Sequence, residues 1–191
     1  MIPIEKAGTP ALERRYIEVP DNVEVSLIGD KHIRVKGPKG TLERKFERVP
    51  TQITVADGKV EVFDYFVNRQ TKALVGTITS HIRNMMLGVT RGYIAKLKII
   101  YSHFPITVKV IGKEVEYTGL YGMRAKKRIP ILGTATKVEV KGEDIICEGT
   151  SIEEVTQTAA SIEQATRLRG KRAKDPRIFQ DGIYVYEKNW V

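Results

Sequence analysis

The sequence is short of the residues that build disulfides, metal sites and membrane spans. Its single cysteine, Cys147, excludes a disulfide within the chain, and its apolar neighbours indicate a small buried residue in a strand. His32, His81 and His103 have no Cys, Asp or Glu at metal-ligand spacing, so we expect neither a metal nor another cofactor. No apolar run reaches the roughly 18 residues of a membrane span, and the sequence start lacks the apolar core of a signal peptide. These absences predict a cytoplasmic protein without a membrane partner.

Motifs for catalysis are also missing. The chain has no GxSxG, HExxH or CxxC sequence and no phosphate-binding loop of the GxxxxGK type. The paired carboxylates Glu153–Glu154 and Glu143–Asp144 fall at a predicted helix start and a predicted turn, where helix-dipole and turn chemistry account for them. We therefore expect no enzymatic activity.

Positive charge is present in excess, and it is concentrated. The 191 residues include 32 Lys and Arg against 23 Asp and Glu, a net charge of +9. Residues 167–177 hold six basic residues and one acidic residue, and Arg124–Arg128 holds four basic residues and no acidic one. The rest of the chain is balanced, with 22 of each sign. A neutral body with two positive segments is typical of a protein that neutralises phosphates locally, and nucleic acid is the expected partner.

Matching landmarks indicate that the chain contains a duplicated unit. VEVSLIG at residues 23–29 resembles ITVKVIG at residues 106–112, an offset of 83. Predicted helix starts at Asn68 and Ser151 have the same offset, and the glycines expected to end those helices, Gly88 and Gly170, are 82 apart. Two copies are too few for a solenoid, so we expect two small domains of one fold.

Each copy shows short alternating apolar stretches followed by one helical pattern. In the first copy, six runs rich in Val, Ile and Thr precede a helix with Leu74, Ile78 and Ile82 on one face. In the second, a capping box of Ser151 and Glu154 precedes a helix expected to bury Val155, Ala159, Ile162 and Leu168. The predicted fold class is α+β, with two tandem copies of a small antiparallel sheet, one helix on a face of each, and a basic C-terminal tail. The predicted boundaries are an N-terminal extension at 1–15, repeat domains at 16–90 and 91–170, and a tail at 171–191.

Two further motifs allow both a structural and an RNA-binding interpretation. GPKG at Gly37–Gly40 is more economically a hairpin turn than a phosphate contact, although it carries a lysine. In YSHFPI, Tyr101 and His103 could stack on an unpaired base or form a strand crossing, and for Phe104 a core position is favoured.

The basic C-terminal run favours phosphate contact over an ordinary solvated surface. Arginine outnumbers lysine there, and its planar guanidinium suits bidentate phosphate contacts. The run continues past a predicted helix end through Gly170 and Pro176, and it is followed by IFQDGIYVY, whose aromatic residues provide anchors or stacking surfaces.

The sequence RIFQDGIYVYEK, residues 177–188, resembles the C-terminal signature of the large-subunit ribosomal protein six family in its archaeal and eukaryotic form. VKGPKGTLERKF, YSHFPITVKV and QTAASIEQATR are also similar to segments of that family. The resemblance implies a structural protein of the large ribosomal subunit whose C-terminal domain and tail hold ribosomal RNA near the sarcin-ricin loop, beside the site of the translational GTPases. Ribosomal RNA and neighbouring ribosomal proteins would be the direct partners, and translation factors indirect ones.

Carried onto this chain, the resemblance places RNA contacts in the tail and in a second loop at Arg124–Arg128. With the two stacking candidates, the expected RNA-binding residues are Tyr101, His103, Arg124, Lys126, Lys127, Arg128, Arg167, Arg169, Lys171, Arg172, Lys174, Arg177 and Lys188. The alternative function is an extraribosomal RNA-binding or ribosome-assembly protein, against which the absence of an autonomous RNA-reading motif argues.

Overall fold

The structure is a computed structural model that describes residues 12–46, 49–56, 58–65, 68–168, 175 and 177–191. The chain divides into two compact units, Met1–Thr90 and Arg91–Val191. Each unit contains antiparallel sheets and one α-helix, so the predicted α+β class with one helix per copy is confirmed.

Six strands precede one long helix in the first unit. They form two antiparallel three-stranded sheets, because alternating residues such as Val60 and Val62 bury one face of each strand. The sheet orders are β1-β6-β5 and β2-β3-β4. The elements are β1 (Leu12–Glu18), β2 (Glu24–Leu27), β3 (His32–Gly37), β4 (Gly40–Lys45), β5 (Gln52–Ala56), β6 (Lys59–Tyr65) and α1 (Arg69–Thr90).

The first helix begins where the sequence predicts but ends later. The Asn68 side chain caps it by accepting hydrogen bonds from the N–H groups of Gln70 and Thr71, both at 2.8 Å. The prediction that Gly88 ends the helix is wrong, because α1 continues to Thr90 and Gly88 is buried within it. The hairpin turn between β3 and β4 supplies a hydrogen-bond donor to the end of this helix, because the N–H of Lys39 donates to the carbonyl of Val89 at 2.9 Å. The helix therefore does not need to end at Gly88.

The second unit repeats this strand order and adds one strand. Its sheets run β8-β9-β10 and β11-β12-β7-β13, so β7-β12-β11 has the same order as β1-β6-β5, and β13 is the addition beside β7. The elements are β7 (Tyr93–Ile100), β8 (Thr107–Ile111), β9 (Glu114–Thr118), β10 (Lys127–Pro130), β11 (Lys137–Lys141), β12 (Asp144–Gly149), α2 (Ile152–Thr166) and β13 (Gly182–Trp190).

Strand β13 differs from the sequence expectation, which places residues 171–191 in a tail outside the repeat. It pairs antiparallel with β7 over nearly its whole length, and Ile183 is buried opposite Ile99.

Each copy was also expected to have one sheet, whereas the strands of each copy divide into two sheets and the helix packs against both. Helix α1 contacts strands that include β1 and β3, and α2 contacts strands that include β7 and β10. Each helix therefore covers apolar residues of both sheets of its unit.

The second helix follows its predicted start and is shorter than expected at its end. The Ser151 hydroxyl accepts a hydrogen bond from the N–H of Glu154 at 3.4 Å, and Val155, Ala159 and Ile162 are buried. The expectation that Leu168 belongs to the buried side of this helix is wrong, because the backbone leaves the helical conformation at Arg167 with ψ of 120°.

Candidate nucleic-acid interface

Three chain segments meet at one end of the second unit, where α2 ends, β7 ends and β13 begins. Gly182 at the start of β13 pairs with Ile100 at the end of β7. The N–H of Ile183 donates to the Thr166 hydroxyl at the end of α2, with a distance of 3.2 Å between the atoms. We call this region the α2 end of the second unit. It lies on regular elements, which hold side chains more firmly than a free loop does.

Asp181 ties two loops to this region. Its carboxylate accepts hydrogen bonds from the backbone N–H of Ser102 at 3.1 Å and from the Ser102 hydroxyl at 2.7 Å. The Tyr121 hydroxyl donates to the Asp181 carbonyl at 3.2 Å. The YSHF loop after β7 and the loop Gly119–Met123 are therefore fixed beside the start of β13.

The loop Gly119–Met123 reaches Asp181 through a strained backbone. Tyr121 has a φ of 51°, in the left-handed region that side chains rarely adopt, and Gly119 has a φ of 91°. Backbone hydrogen bonds close the loop, from the N–H of Gly119 to the Met123 carbonyl at 3.1 Å and from the N–H of Gly122 to the Gly119 carbonyl at 2.9 Å. Burial raises the pKa of the Tyr121 hydroxyl, so this group remains a hydrogen-bond donor at neutral pH.

Large side chains are exposed around this frame. Tyr101 is 42% exposed and Phe104 is 46% exposed, on the loop that Asp181 holds. The expectation of a core position for Phe104 is wrong, because its ring lies over Gly122 and meets His103 edge to face at 4.8 Å between centroids. Phe179 is also 46% exposed, just before β13. Exposed rings on a fixed backbone can stack on unpaired bases.

Three of the predicted cations are exposed on segments that carry or adjoin these rings. Arg167 is exposed directly after α2 and lines a shallow cleft with Tyr121, Phe179 and Tyr184. Arg177 lies on a turn closed by the Asp175 side chain, which accepts from the Arg177 N–H at 2.9 Å, and 92% of the Arg177 side chain is exposed. Arg124 is exposed directly after the loop Gly119–Met123. Guanidinium groups next to exposed rings form the combination that single-stranded RNA binds.

The other candidate residues are placed differently. Lys188 is exposed on β13 opposite Ala95, six residues from Gly182 and therefore about 20 Å along the strand from the α2 end. Four of the predicted contacts lie outside the described residues, namely Arg169, Lys171, Arg172 and Lys174.

The segment Arg124–Arg128, which the sequence predicts as a second contact loop, is partly a strand. Its last two residues belong to β10, where Lys127 lies 5.9 Å from the centroid of the Tyr117 ring. Lys126 and Arg128 both pair with the carboxylate of Glu116, at 3.3 Å and 3.1 Å. Only 7% of the Glu116 side chain is exposed, so part of the charge of this segment is neutralised inside the fold.

The pairing of Glu116 predicts a loss of stability in acid. Hydrogen bonding by Arg128 holds the pKa of the Glu116 carboxyl below its ordinary value. The contribution of the ionised carboxylate to stability is therefore complete at a pH above the ordinary pKa, and it is lost as the pH falls through the lowered pKa. We expect the E116Q variant to lose less stability than the wild type between about pH 6.5 and about pH 3.5 in urea unfolding. The E139Q variant, which alters a half-exposed carboxylate paired with Lys141, serves as control. Equal acid sensitivity of E116Q and the wild type would contradict the assignment.

Within the described residues, no group of His, Cys, Asp and Glu is arranged to hold a metal ion. Cys147 is fully buried, and burial raises the pKa of its thiol to about 12, as expected of a structural residue. Neither helix in the described ranges is long and apolar enough to cross a membrane.

Known proteins resemble this chain over nearly its whole length. The sequence model of a family described as Ribosomal protein L6 matches residues 19–92. A protein of Ignicoccus hospitalis described as large ribosomal subunit protein uL6 is 46% identical, over 90% of this chain and 92% of its own length. The protein of that description from Saccharolobus solfataricus is 48% identical, over 93% and 96%. The one from Archaeoglobus fulgidus is 42% identical, over 95% and 92%.

Proposed function

The chain belongs to the ribosomal protein L6 family, and on that premise we propose that it binds large-subunit ribosomal RNA with the α2 end of its second unit. Its role is that of a structural constituent of the large ribosomal subunit in the cytoplasm, without enzymatic activity. Within the subunit, we place the contact near the sarcin-ricin loop, beside the site where translational GTPases bind. Translation factors are then neighbours of this contact rather than direct partners.

The observation that carries the proposal is the set of exposed cations and rings at the α2 end, where Asp181 holds the loop that carries Tyr101. Arg167 and Arg177 present guanidinium groups to solvent, Arg167 lines a cleft with Phe179, and the Tyr101 ring is exposed. The guanidinium groups neutralise phosphates, while the rings stack on bases without reading their identity. Recognition by charge and stacking then depends on the shape of the folded RNA rather than on base edges.

The basic run that continues from Arg167 supplies the remaining charge. Residues 169–174 lie outside the described part of the chain, and their four cations are proposed as contacts from the sequence alone. Together with Arg167 and Arg177 they would neutralise about six phosphates, which corresponds to a slope of roughly −4 to −5 in a plot of log K against log salt.

Replacing the four arginines of the tail with alanine is expected to flatten this salt slope by about three units. The four are Arg167, Arg169, Arg172 and Arg177. Filter binding of the full chain to deproteinised large-subunit RNA across a salt series measures the slope. A control variant with the same loss of charge replaces Lys36, Lys59, Lys109 and Lys137, which are exposed on four different strands. A tail variant whose slope equals that of the control would rule out the tail as the main contact.

Location and ribosomal function need separate measurements. Footprinting of large-subunit RNA with and without the protein is expected to show protection at and around the sarcin-ricin loop, and protection elsewhere would contradict the placement.

In high-magnesium gradients the protein is expected to sediment with mature large subunits. Its loss from mature particles, with retention on precursors, would instead favour an assembly protein.

A further inference from the structure

The first unit carries a second basic surface, and it lies on α1. From Tyr65 to Lys113 the chain has eight lysines and arginines and no aspartate or glutamate. Within α1 the cations are Arg69, Lys72 and Arg83, all exposed. A helix with three cations and no carboxylate has no internal pairing along its surface, in contrast to the mixed charges usual on solvated helices.

The helical spacing places these cations along one stripe. Residues 69, 72, 76, 80 and 83 follow each other at intervals of three or four, so they share the exposed face opposite Ile78 and Ile82. Arg69 and Arg83 are about 21 Å apart along the axis at 1.5 Å per residue. We call this surface the α1 stripe, and it consists of Arg69, Lys72, Ala73, Gly76, Ser80 and Arg83.

The middle of the α1 stripe consists of small residues, and a fourth cation lies over it. Ala73, Gly76 and Ser80 have small side chains or none. The guanidinium of Arg15 lies over Gly76, where a Cβ atom would be 3.3 Å from its Nη1. Glu13 is 3.6 Å from the Nε of Arg15, so part of this fourth charge is balanced. A polyanion approaching the stripe would therefore meet three full positive charges and one partly balanced charge.

Among the described residues, no carboxylate pairs with the three cations of α1. No ion pair joins Arg69, Lys72 or Arg83 to another described residue. Some other exposed cations of the fold are paired closely, as Arg34 is with Glu43 at 2.6 Å. An isolated cation on a solvated face is common, but three on one stripe with no paired neighbour indicate an external anion.

The duplicated helix has the opposite charge. Helix α2 contains Glu153, Glu154 and Glu163 and no lysine or arginine. Its counterpart α1 contains three cations and no acid. Both helices bury one apolar face in the same kind of fold, so packing does not explain the reversal. The difference lies in the charged residues of the two helices, outside their buried apolar faces.

We propose that the α1 stripe is a second site for the phosphate backbone of large-subunit ribosomal RNA, separate from the α2 end of the second unit. The proposal rests on the proposed ribosomal RNA binding but concerns a different surface. The stripe has no aromatic ring, so it binds phosphates by charge and does not stack bases. The α2 end, with its rings, can hold unpaired nucleotides, whereas the stripe suits the backbone of a folded helix.

The R69Q/K72Q/R83Q variant of the full chain tests the stripe. We expect its salt slope for deproteinised large-subunit RNA to flatten by about two to three units, since three phosphate contacts are lost. The K36Q/K109Q/K137Q variant loses the same charge from three separate strands and is expected to keep a slope within about one unit of the wild type. Equal slopes for the two variants would overturn the proposal.

The two proposed sites are distinguished by combining variants. The R167A/R177A change in the second unit is expected to flatten the slope on its own and to add to the stripe change, because each variant loses its own phosphate contacts. If only the stripe variant is without effect, the second site is wrong and the first stands. If only R167A/R177A is without effect, the α2 end is wrong and the stripe stands.

A tethered cleavage reagent locates the RNA directly. An iron chelate attached to the S80C variant in the middle of the stripe is expected to cut nearby RNA strands in reconstituted subunits. Cys147 does not compete for the reagent, because its thiol is fully buried. The Q52C variant, on exposed β5, is the control and is expected to give no cuts at those positions. Identical cutting from both sites, or none from S80C while a neighbouring protein is modified there, would overturn the proposal.

Discussion

Replacing Gly119 with alanine is expected to lower the free energy of unfolding of the second unit by about 3 kcal/mol. Two effects combine. The backbone at Gly119 has a φ of 91° and a ψ of −12°, in the left-handed region that costs a side chain about 1–2 kcal/mol. A Cβ atom there would also overlap the carbonyl oxygen of Pro105, so the YSHF loop or the Gly119–Met123 loop has to move. Equilibrium unfolding in urea, followed by circular dichroism, measures the loss.

Gly112 provides a control that separates the two effects. Its φ is +60°, but a Cβ atom there would have no neighbour within 4 Å. We expect G112A to cost about 1 kcal/mol, which is the backbone conformation alone. If G119A costs no more than G112A, the overlap with Pro105 does not constrain the loops.

The same change has a functional consequence. Gly119 opens the loop that carries Tyr121 to Asp181, and Asp181 holds Ser102 in the YSHF loop. Displacement of this loop would therefore misplace Tyr101 and Arg124 while leaving their chemistry intact. We expect G119A to weaken RNA binding with little change in salt slope, because charge is retained and only its placement is altered.

Much of the fold is predictable from local patterns in this sequence. Alternating Val and Ile residues locate the strands of both units, and Asn68 and Ser151 locate the helix starts, since a cap is a contact over three residues. The end of α1 is not predictable in this way. It depends on the N–H of Lys39, which is 50 residues away in the chain and reaches the Val89 carbonyl only in the folded unit.

The membership of β13 in the sheet is also a long-range property. Ile183, Val185 and Glu187 occupy every second position of β13 in the sequence. The neighbouring basic run makes this strand pattern harder to recognise. The extra strand has no counterpart in the first unit's described sheets, so the repeat itself gives no hint of it.

The candidate site is less predictable than the fold. The sequence identifies exposed arginines by charge, but it cannot show that Glu116 neutralises Lys126 and Arg128 from the adjacent strand. It also gives no sign that Tyr121 adopts a left-handed backbone, because tyrosine rarely does so. The α1 stripe was detectable as an acid-free span, but its charges are too widely spaced to stand out in a short window.

Replacing Ile183 with alanine is expected to destabilise the second unit by about 3 kcal/mol, because a buried isoleucine is truncated and a cavity remains. Ile183 is 1% exposed and belongs to the core that includes Leu97 and Ile162. Its N–H also joins β13 to the end of α2 through Thr166. The loss is measured by urea unfolding, and the single tryptophan, Trp190 at the end of β13, reports the state of this unit by its fluorescence.

Ile178 is the matched control, because it is the other isoleucine of the RIFQDGIYVYEK segment and is 74% exposed. We expect I178A to change stability by less than about 0.5 kcal/mol. A similar loss in both variants would contradict the inclusion of β13 in the core.

The expected contrast divides the residues of the RIFQDGIYVYEK segment by physical role. Ile183 and Asp181 fix the fold and the loops, so their replacement should alter stability, whereas Arg177 faces solvent and its replacement should alter only RNA affinity and its salt dependence. Within this segment, Ile183 and Asp181 thus position the proposed interface, and Arg177, whose charge is proposed to bind RNA, is displayed beside them.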